Sequence, residues 1–283
     1  MKVMRAEPQA AVGGRRGEPA RARGRALLDA LRWAEPASVV VVAVLAWEIT
    51  SHVGLLPQRD FPPATQILSA FLTDIRHGEL WIGVGASMRA WALGMLIIIA
   101  IGVPVGMLLG SSSISYKLTY LTIEFIRTLP GIAALPILMF AYGVGQPLVI
   151  SLVVLAGIWP LLIQSMYGMH DIDPVAVATA KVYGVGRLRR FALVDLPSCM
   201  PYIATGLRVS GTFALIFAIA ASLVIGGQGM GDAMAEAARI GDRSLLFARV
   251  LACGLLGLGV TLALLALERR ALRWHASQRE AAR

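Results

Sequence analysis

The chain is poor in charge: Asp, Glu, Lys and Arg make up 15 % of its 283 residues, whereas hydrophobic residues make up 57 %. A soluble domain carries about 25 % charged and about 45–50 % apolar residues. A soluble fold of this size could not cover so much apolar surface, because its exterior must meet water. The composition therefore excludes an ordinary cytosolic enzyme and a disordered protein, and it indicates a polytopic membrane protein.

The chain also has few residues of the kinds that form disulfides, metal sites and nucleotide sites. Its two cysteines, Cys199 and Cys253, lie in or beside apolar stretches, where we expect them to pack as small apolar residues. No Cys and His cluster has metal-ligand spacing, and no GxxxxGK[ST] motif is present. The glycines of Gly226–Gly231 follow no predicted strand, so they indicate a turn before a short helix. We expect no cofactor, no catalytic site and no ATP hydrolysis by this chain.

Apolar stretches long enough to cross a membrane recur along the chain. A membrane helix needs about 20 mostly apolar residues. Four stretches lack charged residues, and the stretch at 128–170 is long enough for two helices with a turn at Gly143–Pro147. A further apolar stretch begins at Pro36. The pattern predicts an all-α membrane protein with six transmembrane helices, at 36–55, 82–110, 118–142, 147–168, 200–226 and 246–267.

The positive charge is distributed unevenly between the segments that connect these helices. With the N-terminus inside, the inner segments carry 18 Lys and Arg residues and the outer segments carry four. Cytoplasmic loops of membrane proteins carry such an excess, so both termini are predicted to be cytoplasmic. The net charge of +9 then reflects orientation, with contact to anionic lipid as a weaker possibility. Nucleic-acid binding is not expected.

The predicted helices divide the chain into five segments. Residues 1–33, rich in Arg, Ala, Gly and Pro, indicate a disordered basic cytoplasmic tail, and 34–56 hold an uncleaved first transmembrane helix. A periplasmic loop at 57–81 is predicted to contain a short amphipathic helix. The transmembrane core follows at 82–268, and residues 269–283 form a second cytoplasmic tail.

The second predicted helix carries a stripe of small residues, Gly102-x3-Gly106-x3-Gly110. Such a stripe lets another helix approach closely. Ordinary helix packing and a role in lining a pore are both compatible with this pattern.

An acidic and a basic residue lie inside the predicted helix 118–142. Glu124 and Arg127 share a helix face at a spacing of three, and charges within a membrane helix are usually paired or functional. They form either a local ion pair that anchors the interfacial turn or part of a gate or partner contact. Pro130 and Pro136 follow, and proline kinks a helix, which suits either a moving part or a static kink. These four residues are the candidate gate or pathway residues.

The largest predicted inner loop, 169–198, has the pattern of two short helices. Asp173-Pro174 is a helix start, with an N-cap followed by proline at the first helical position. Val175–Tyr183 forms the first helix and Gly184 supplies its stop. A second helix is predicted at Arg187–Leu196. Such a unit either transmits force from a soluble partner to the adjoining spans or is a plain amphipathic connector.

The same loop resembles the cytoplasmic pattern of the inner-membrane permeases of binding-protein-dependent ABC importers, Glu-Ala-Ala-x3-Gly-x9-Ile-x-Leu-Pro. Here Ala178-Thr179-Ala180, Gly184 and Val194–Pro197 have this spacing, although Ala178 replaces the Glu and Thr179 the first Ala. Other segments resemble the nitrate/sulfonate/taurine branch of the family, namely Leu56–Leu68, Gly102–Gly106, Arg127–Pro130 with Pro136, Gly143–Gly145 and Pro201–Arg208. That branch often has a small residue followed by Glu late in the fifth helix, where this chain has Ala221-Ser222.

The resemblance covers about 36–275 and implies a type I ABC importer permease fold in the bacterial cytoplasmic membrane. It implies ATP-driven import of a small solute, such as a sulfonate, taurine or nitrate, by alternating access. The implied partners are two separate ATPase subunits, a second permease copy and a periplasmic or lipid-anchored binding protein. The loop would contact the ATPase through Asp173, Pro174, Ala178, Thr179, Ala180, Tyr183, Gly184, Leu196 and Pro197.

The alternative is an ATP-independent secondary transporter or channel. Ion coupling would require ionisable groups at mid-membrane. The predicted helices at 147–168, 200–226 and 246–267 contain no acidic residue. The sequence therefore favours the ATP-driven importer.

Overall fold

A computed structural model describes residues 38–55 and 57–272, and every regular element within these two ranges is helical. The tail predicted at 1–33 and most of the tail predicted at 269–283 lie outside the described residues. The chain forms two compact units that divide after Thr65.

The first unit contains the described part of α1, Ser38–His52, and the turn that follows it. Glu48, the acidic residue within this apolar helix, accepts the hydroxyl of Thr65 at 2.9 Å and its backbone N–H at 3.2 Å. Thr65 lies in the first turn of α2, Ala64–His77, where backbone N–H groups have no partner within the helix. The indole N–H of Trp47 donates to the carbonyl of Pro62 at 3.0 Å. Polar groups of α1 therefore hold the turn and the start of α2.

The second unit contains the remaining helices. They are the rest of α2, α3 (Glu79–Gly110), α4 (Ser113–Arg127), a 3₁₀ turn (Gly131–Ala134), α5 (Leu135–Tyr142), α6 (Gln146–His170), α7 (Pro174–Val182), α8 (Arg187–Arg190), a π-helical turn (Phe191–Asp195), α9 (Leu196–Ile225), α10 (Met230–Arg239) and α11 (Arg243–Ala271).

Four helices of the described chain are long and apolar enough to cross a membrane: α3, α6, the continuous helix Arg187–Ile225, and α11. A fifth candidate is α4 together with Gly131–Tyr142, two pieces that meet at 81°. These five coincide with five of the six predicted spans. The described part of α1 is shorter than a span, and Pro36 of the predicted helix 36–55 lies outside the described residues. The amphipathic helix predicted within 57–81 is present as α2.

The helix predicted at 118–142, with Pro130 and Pro136 able to kink it, is broken between Arg127 and Gly131 rather than kinked. Pro130 has an extended backbone, with ψ at 115°. Proline donates no backbone hydrogen bond and disfavours helical geometry in the residue before it, so the α4 ladder ends at this point. Pro136 instead lies in the first turn of α5, where its missing N–H has no cost.

The prediction of a separate second helix at Arg187–Leu196 is also wrong, because α8, the π-helical turn and α9 form one continuous helix. Pro197 lies in the first turn of α9 and Pro201 lies inside it. The wide turn at Phe191–Asp195 accommodates Pro197, which has no N–H to donate. The two prolines therefore do not separate the inner loop from the following span.

The core lies along α6, which packs between α3 and α9. Ile98 of α3, Leu152 and Leu161 of α6 and Ala214 of α9 are all buried there. The glycine stripe of α3 faces α6 closely: a methyl group added at Gly106 would lie 2.4 Å from the Leu162 carbonyl oxygen. One added at Gly110 would lie 2.2 Å from the carbonyl oxygen of Met166. The stripe therefore serves close helix packing.

Candidate functional site

The helix α7 begins and ends where the residues at its two ends predict. The Asp173 carboxylate accepts the backbone N–H of Val175 at 2.8 Å, so the predicted N-cap is formed. Gly184, with φ at +67°, follows Tyr183 and ends the helix in a conformation that side chains disfavour. The observed helix, Pro174–Val182, is thus the predicted Val175–Tyr183 shifted by one residue.

One face of α7 is apolar and exposed. Val182 is 86 % exposed, Tyr183 81 % and Val175 68 %, whereas Ala180 on the opposite side is 7 % exposed. On a surface that faces water, an apolar patch of this kind usually marks a site for a partner. The patch borders a shallow groove lined by Pro174, Val175, Ala178, Thr179, Val182 and Tyr183. Four of the nine residues proposed from the sequence therefore line this groove, namely Pro174, Ala178, Thr179 and Tyr183, and a fifth, Asp173, caps the helix beside it.

The two ends of the loop are fixed to the long helices. The Asp171 carboxylate accepts the hydroxyl of Tyr202 at 3.0 Å, which joins the end of α6 to α9. The buried Asp195 pairs with Arg190 at 3.3 Å across the π-helical turn. Ala180 packs inward, and Leu196 and Pro197 begin α9. The residues on either side of α7 are therefore held to the long helices, and α7 itself packs against the π-helical turn at Phe191–Asp195.

The candidate gate residues lie where the α4–α5 span bends. Glu124 and Arg127 form an ion pair on one face of α4, and Arg127 is the last residue of that helix. Pro130 lies in the bend and Pro136 lies beyond it, in α5. A cavity of about 430 Å³ is lined by Glu124 and Arg127, and a neighbouring one of about 490 Å³ is lined by Arg127 and Pro130. Pro136 lines neither of these cavities.

The other walls of these cavities come from residues that the sequence analysis did not select. Trp159 of α6 and Phe213 of α9 line both cavities, and Gln164 of α6 lines the smaller one. Trp159 and Phe213 lie in apolar helices whose sequence gives no sign of a site. Only the folded structure brings them close to Arg127. A polar glutamine within an apolar stretch was the single local signal.

A buried arginine joins four helices elsewhere in the second unit. Arg249 of α11 is 3 % exposed, and its guanidinium lies 3.2 Å from the carboxylate of Asp74 in α2. It also lies 3.3 Å from Glu79 at the start of α3 and donates to the Ala233 carbonyl of α10 at 2.6 Å. No local sequence pattern indicates this cluster, although Arg249 directly precedes a charge-free stretch.

The glycine-rich turn before α10 is held by two serine hydroxyls. Ser222 of α9 accepts the N–H of Gly231 at 3.0 Å, and Ser87 of α3 accepts the N–H of Met230 at 2.9 Å. A methyl group at Gly231 would lie 2.1 Å from the carbonyl oxygen of Ile219, so only glycine fits there. Ser222 therefore binds a backbone N–H in the first turn of α10.

Metal and disulfide chemistry have no site in the part of the chain that the structure describes. No group of three His, Cys, Asp or Glu residues within 38–55 and 57–272 could hold a metal ion. Cys199 is buried, Cys253 is half-buried, and both thiols are free.

Several apolar spans, one of them broken, and a short exposed helix between two spans define an integral membrane permease. The chain belongs to the family described as binding-protein-dependent transport system inner membrane component, whose model matches residues 102–273. This is a family of transport permeases whose ATPase resides in separate subunits.

Curated relatives place the chain in the nitrate/sulfonate/taurine branch of ABC importer permeases. It is 26 % identical to the taurine transport system permease protein TauC of Escherichia coli, covering 87 % of this chain and 94 % of TauC. It is 31 % identical to the nitrate import permease protein NrtB of Leptolyngbya laminosa, over 64 % of this chain and 65 % of NrtB. It is 28 % identical to the putative aliphatic sulfonates transport permease protein SsuC of Escherichia coli, over 88 % and 93 %.

A solved structure shows the same fold. A chain of the MetNI methionine ABC transporter, in inward-facing conformations, superposes with a TM-score of 0.59 at 16 % identity. The match covers 68 % of this chain and 96 % of that chain. The second unit therefore has the type I ABC permease fold.

Proposed function

We propose that the chain is the transmembrane subunit of an ATP-driven importer in a bacterial cytoplasmic membrane. It would carry a small solute, an organic or inorganic anion such as a sulfonate, taurine or nitrate, by alternating access. The relatives for taurine, nitrate and aliphatic sulfonates support this solute class. The exposed apolar face of α7 is the observation that supports the ATP coupling, because the residue that follows α6 and precedes α7 is bonded to α9.

In this proposal α7 docks in a groove of an ATPase subunit. Val175, Val182 and Tyr183 supply the apolar contact, and Ala178 and Thr179 lie exposed between them. Asp173 and Gly184 set the two ends of the helix. ATP must favour one conformation of the ATPase pair over the other, and the contact passes that preference to α6 and α9.

The remaining partners follow from the family. Two copies of the chain would enclose the pathway, two ATPase subunits would bind below, and a periplasmic or lipid-anchored binding protein would deliver the solute. Both termini would be cytoplasmic, with α1 as the first of six spans and 57–81 on the periplasmic side. Glu124, Arg127 and Pro130, at the bend of the fourth-to-fifth helix pair, would border the pathway, with Pro136 in the adjoining part of the span.

Replacing an apolar residue of the α7 face with a charge tests this proposal. We expect Val182→Asp and Tyr183→Asp each to abolish co-purification of the ATPase subunits and solute uptake in cells. A carboxylate forced into an apolar interface loses hydration without gaining a partner. Permease abundance in the membrane should be unchanged, because both side chains are exposed in the isolated chain.

Leu188→Asp is the matched control, since Leu188 is 88 % exposed in the same loop but does not line the α7 groove. It should retain both ATPase binding and uptake. Normal ATPase co-purification with Val182→Asp, or solute uptake by the reconstituted permease without any ATPase, would contradict the proposal.

A further inference from the structure

Two adjoining cavities lie between the bend of the α4–α5 span, α6 and α9. They share the lining residues Arg127, Ala156, Trp159 and Phe213, and their volumes are about 490 and 430 Å³. We refer to this joint space as the Trp159 cavity. Its walls are mostly apolar and aromatic, with a few polar groups, which is the usual composition of a small-molecule site. Irregular backbone at membrane depth, as at this bend, is tolerated where it lines a cavity or is buried in protein.

The cavity wall carries one positive and one negative side chain with unused hydrogen-bonding capacity. Glu124 and Arg127 contact each other through a single carboxylate oxygen and a single guanidinium nitrogen. Within the described part of the chain, the other Glu124 oxygen and the remaining Arg127 nitrogens have no hydrogen-bond partner. Guanidinium groups have five donors and carboxylates about four acceptor positions, so most of this capacity is open to the cavity.

Trp159 adds an unused donor at the same place. Four tryptophans are described, and Trp47, Trp81 and Trp91 each donate the indole N–H to a backbone carbonyl. The half-buried Trp159 is the only one of the four without an acceptor among the described residues. Gln164, also half-buried, has no hydrogen bond to any described residue either. Half-buried indole N–H groups usually find a partner, so this pair is poised for a bound solute.

We propose that the Trp159 cavity is a transit site selective for a small zwitterion, with an acidic group and an ammonium group on a short apolar linker. The acidic group binds the free N–H groups of Arg127 and the indole N–H of Trp159, and the ammonium binds the free oxygen of Glu124. The faces of Trp159 and Phe213 contact the linker and favour the cation. A simple anion is disfavoured, because it would meet the negative charge of Glu124 without compensating it.

This proposal rests on the proposed function and narrows its solute class from anions in general to molecules that carry both charges. It assigns Glu124 and Arg127 different roles, one for each end of the solute. The balanced charge of the wall is what distinguishes a zwitterion site from an anion site, since an anion site would place only donors and cations around the ligand.

Two probes that differ only in the cationic end test the site. Taurine (2-aminoethanesulfonate) and isethionate (2-hydroxyethanesulfonate) have the same sulfonate and linker, and only taurine has an ammonium group. Binding of each to the full-length permease in nanodiscs is measured by saturation-transfer NMR at millimolar concentrations. We expect taurine to bind at least about tenfold more tightly, the contribution of one charge-assisted hydrogen bond.

Variants assign the two ends. Glu124→Gln should abolish the preference for taurine, Arg127→Gln should weaken both probes, and Trp159→Phe should weaken both by the same factor. Arg89→Gln, an exposed arginine of α3 outside the cavity, should change neither. The double variant Glu124→Gln with Arg127→Gln leaves no unpaired charge, so its loss of both probes with a normal elution profile separates binding from folding.

Equal affinity for the two probes, tighter binding of isethionate, or no binding of either probe would overturn the zwitterion site. Co-purification of the ATPase with the α7 variants is measured without solute. The importer function can therefore be correct even if the zwitterion site is wrong. If the ATPase still co-purified with Val182→Asp while the permease still preferred taurine, the proposed ATP coupling would be wrong and the zwitterion site would stand.

Discussion

Single residues determine how this apolar chain accommodates charge. Arg249 and Asp74 are both buried, and each alone would be an uncompensated charge in apolar surroundings. Glu268 similarly pairs with Arg208 at 2.8 Å, and Glu48 binds Thr65. Arg127 differs from these residues, because most of its N–H groups have no partner among the described residues. The other charges named here each have a protein partner, whereas much of the hydrogen-bonding capacity of Arg127 faces the cavity.

We predict that Arg249→Met destabilises the permease by about 3–5 kcal/mol, because it leaves the Asp74 carboxylate buried without a partner. The measurement is the free energy of unfolding of the purified permease in a denaturing-detergent titration. The double variant Arg249→Met with Asp74→Asn should recover much of the loss, because no buried charge remains. Arg239→Met, which removes an exposed ion pair with Glu236, should cost no more than about 1 kcal/mol. A loss for Arg249→Met no larger than that control would contradict the prediction.

The ends of α7 could be predicted because the signals are local: Asp173 caps a helix that Gly184 stops eleven positions later in sequence. The partners of Arg249 could not, since Asp74 and Arg249 are 175 positions apart and only the packed fold brings them together. Trp159 was missed for the same reason. Its significance depends on the absence of an acceptor on neighbouring helices, which no local pattern reveals.

At the scale of elements, helix packing follows the small residues. α3 and α6 approach so closely that backbone carbonyls of α6 lie against the glycines of α3. The spacing of Gly102, Gly106 and Gly110 left helix packing and pore lining both open, and the structure shows packing, with α6 as the partner.

Gly106→Ala is predicted to destabilise the permease by about 1–3 kcal/mol, because the new methyl group would lie 2.4 Å from the Leu162 carbonyl oxygen. Gly85→Ala is the matched control on the same helix, since nothing lies within 4 Å of the position of its methyl group. It should be neutral or stabilising by up to about 1 kcal/mol. Thermal unfolding in detergent compares the two variants, and equal midpoints would refute the packing argument.

Prolines were harder to interpret than glycines at this scale. Pro130 ends α4, whereas Pro197 and Pro201 lie within one long helix. Local sequence predicts a kink or an end at each of them. The outcome depends on whether tertiary contacts, here the wide turn at Phe191–Asp195 and the Arg190–Asp195 pair, restore the geometry.

The architecture of the whole molecule follows its apolar composition, because most of the long apolar stretches form long helices. Five of the six predicted spans have counterparts in the described chain, and the breaks between them occur at glycine and proline turns. Composition does not predict that the end of the predicted loop 169–198 and the following span form one helix, because this depends on contacts between residues of both segments.

Topology is testable with single exposed cysteines in a background lacking Cys199 and Cys253. We predict that Lys181→Cys is labelled by a membrane-impermeant maleimide only after the cells are permeabilised, and that Glu236→Cys is labelled in intact spheroplasts. Both positions are exposed, so a difference in labelling reports the side of the membrane rather than burial. Labelling of Lys181→Cys in intact spheroplasts would reverse the orientation deduced from the positive charges.

The continuous helix Arg187–Ile225 has a mechanical consequence. Its 39 residues span about 58 Å at 1.5 Å per residue. It begins close to α7 and ends at the glycine turn that carries α10. A rod of this length amplifies small angles: a tilt of about 5° at its start displaces its far end by about 5 Å. If the helix moves as one body despite its π-helical turn and Pro201, a slight movement at its α7 end displaces its α10 end by several ångströms.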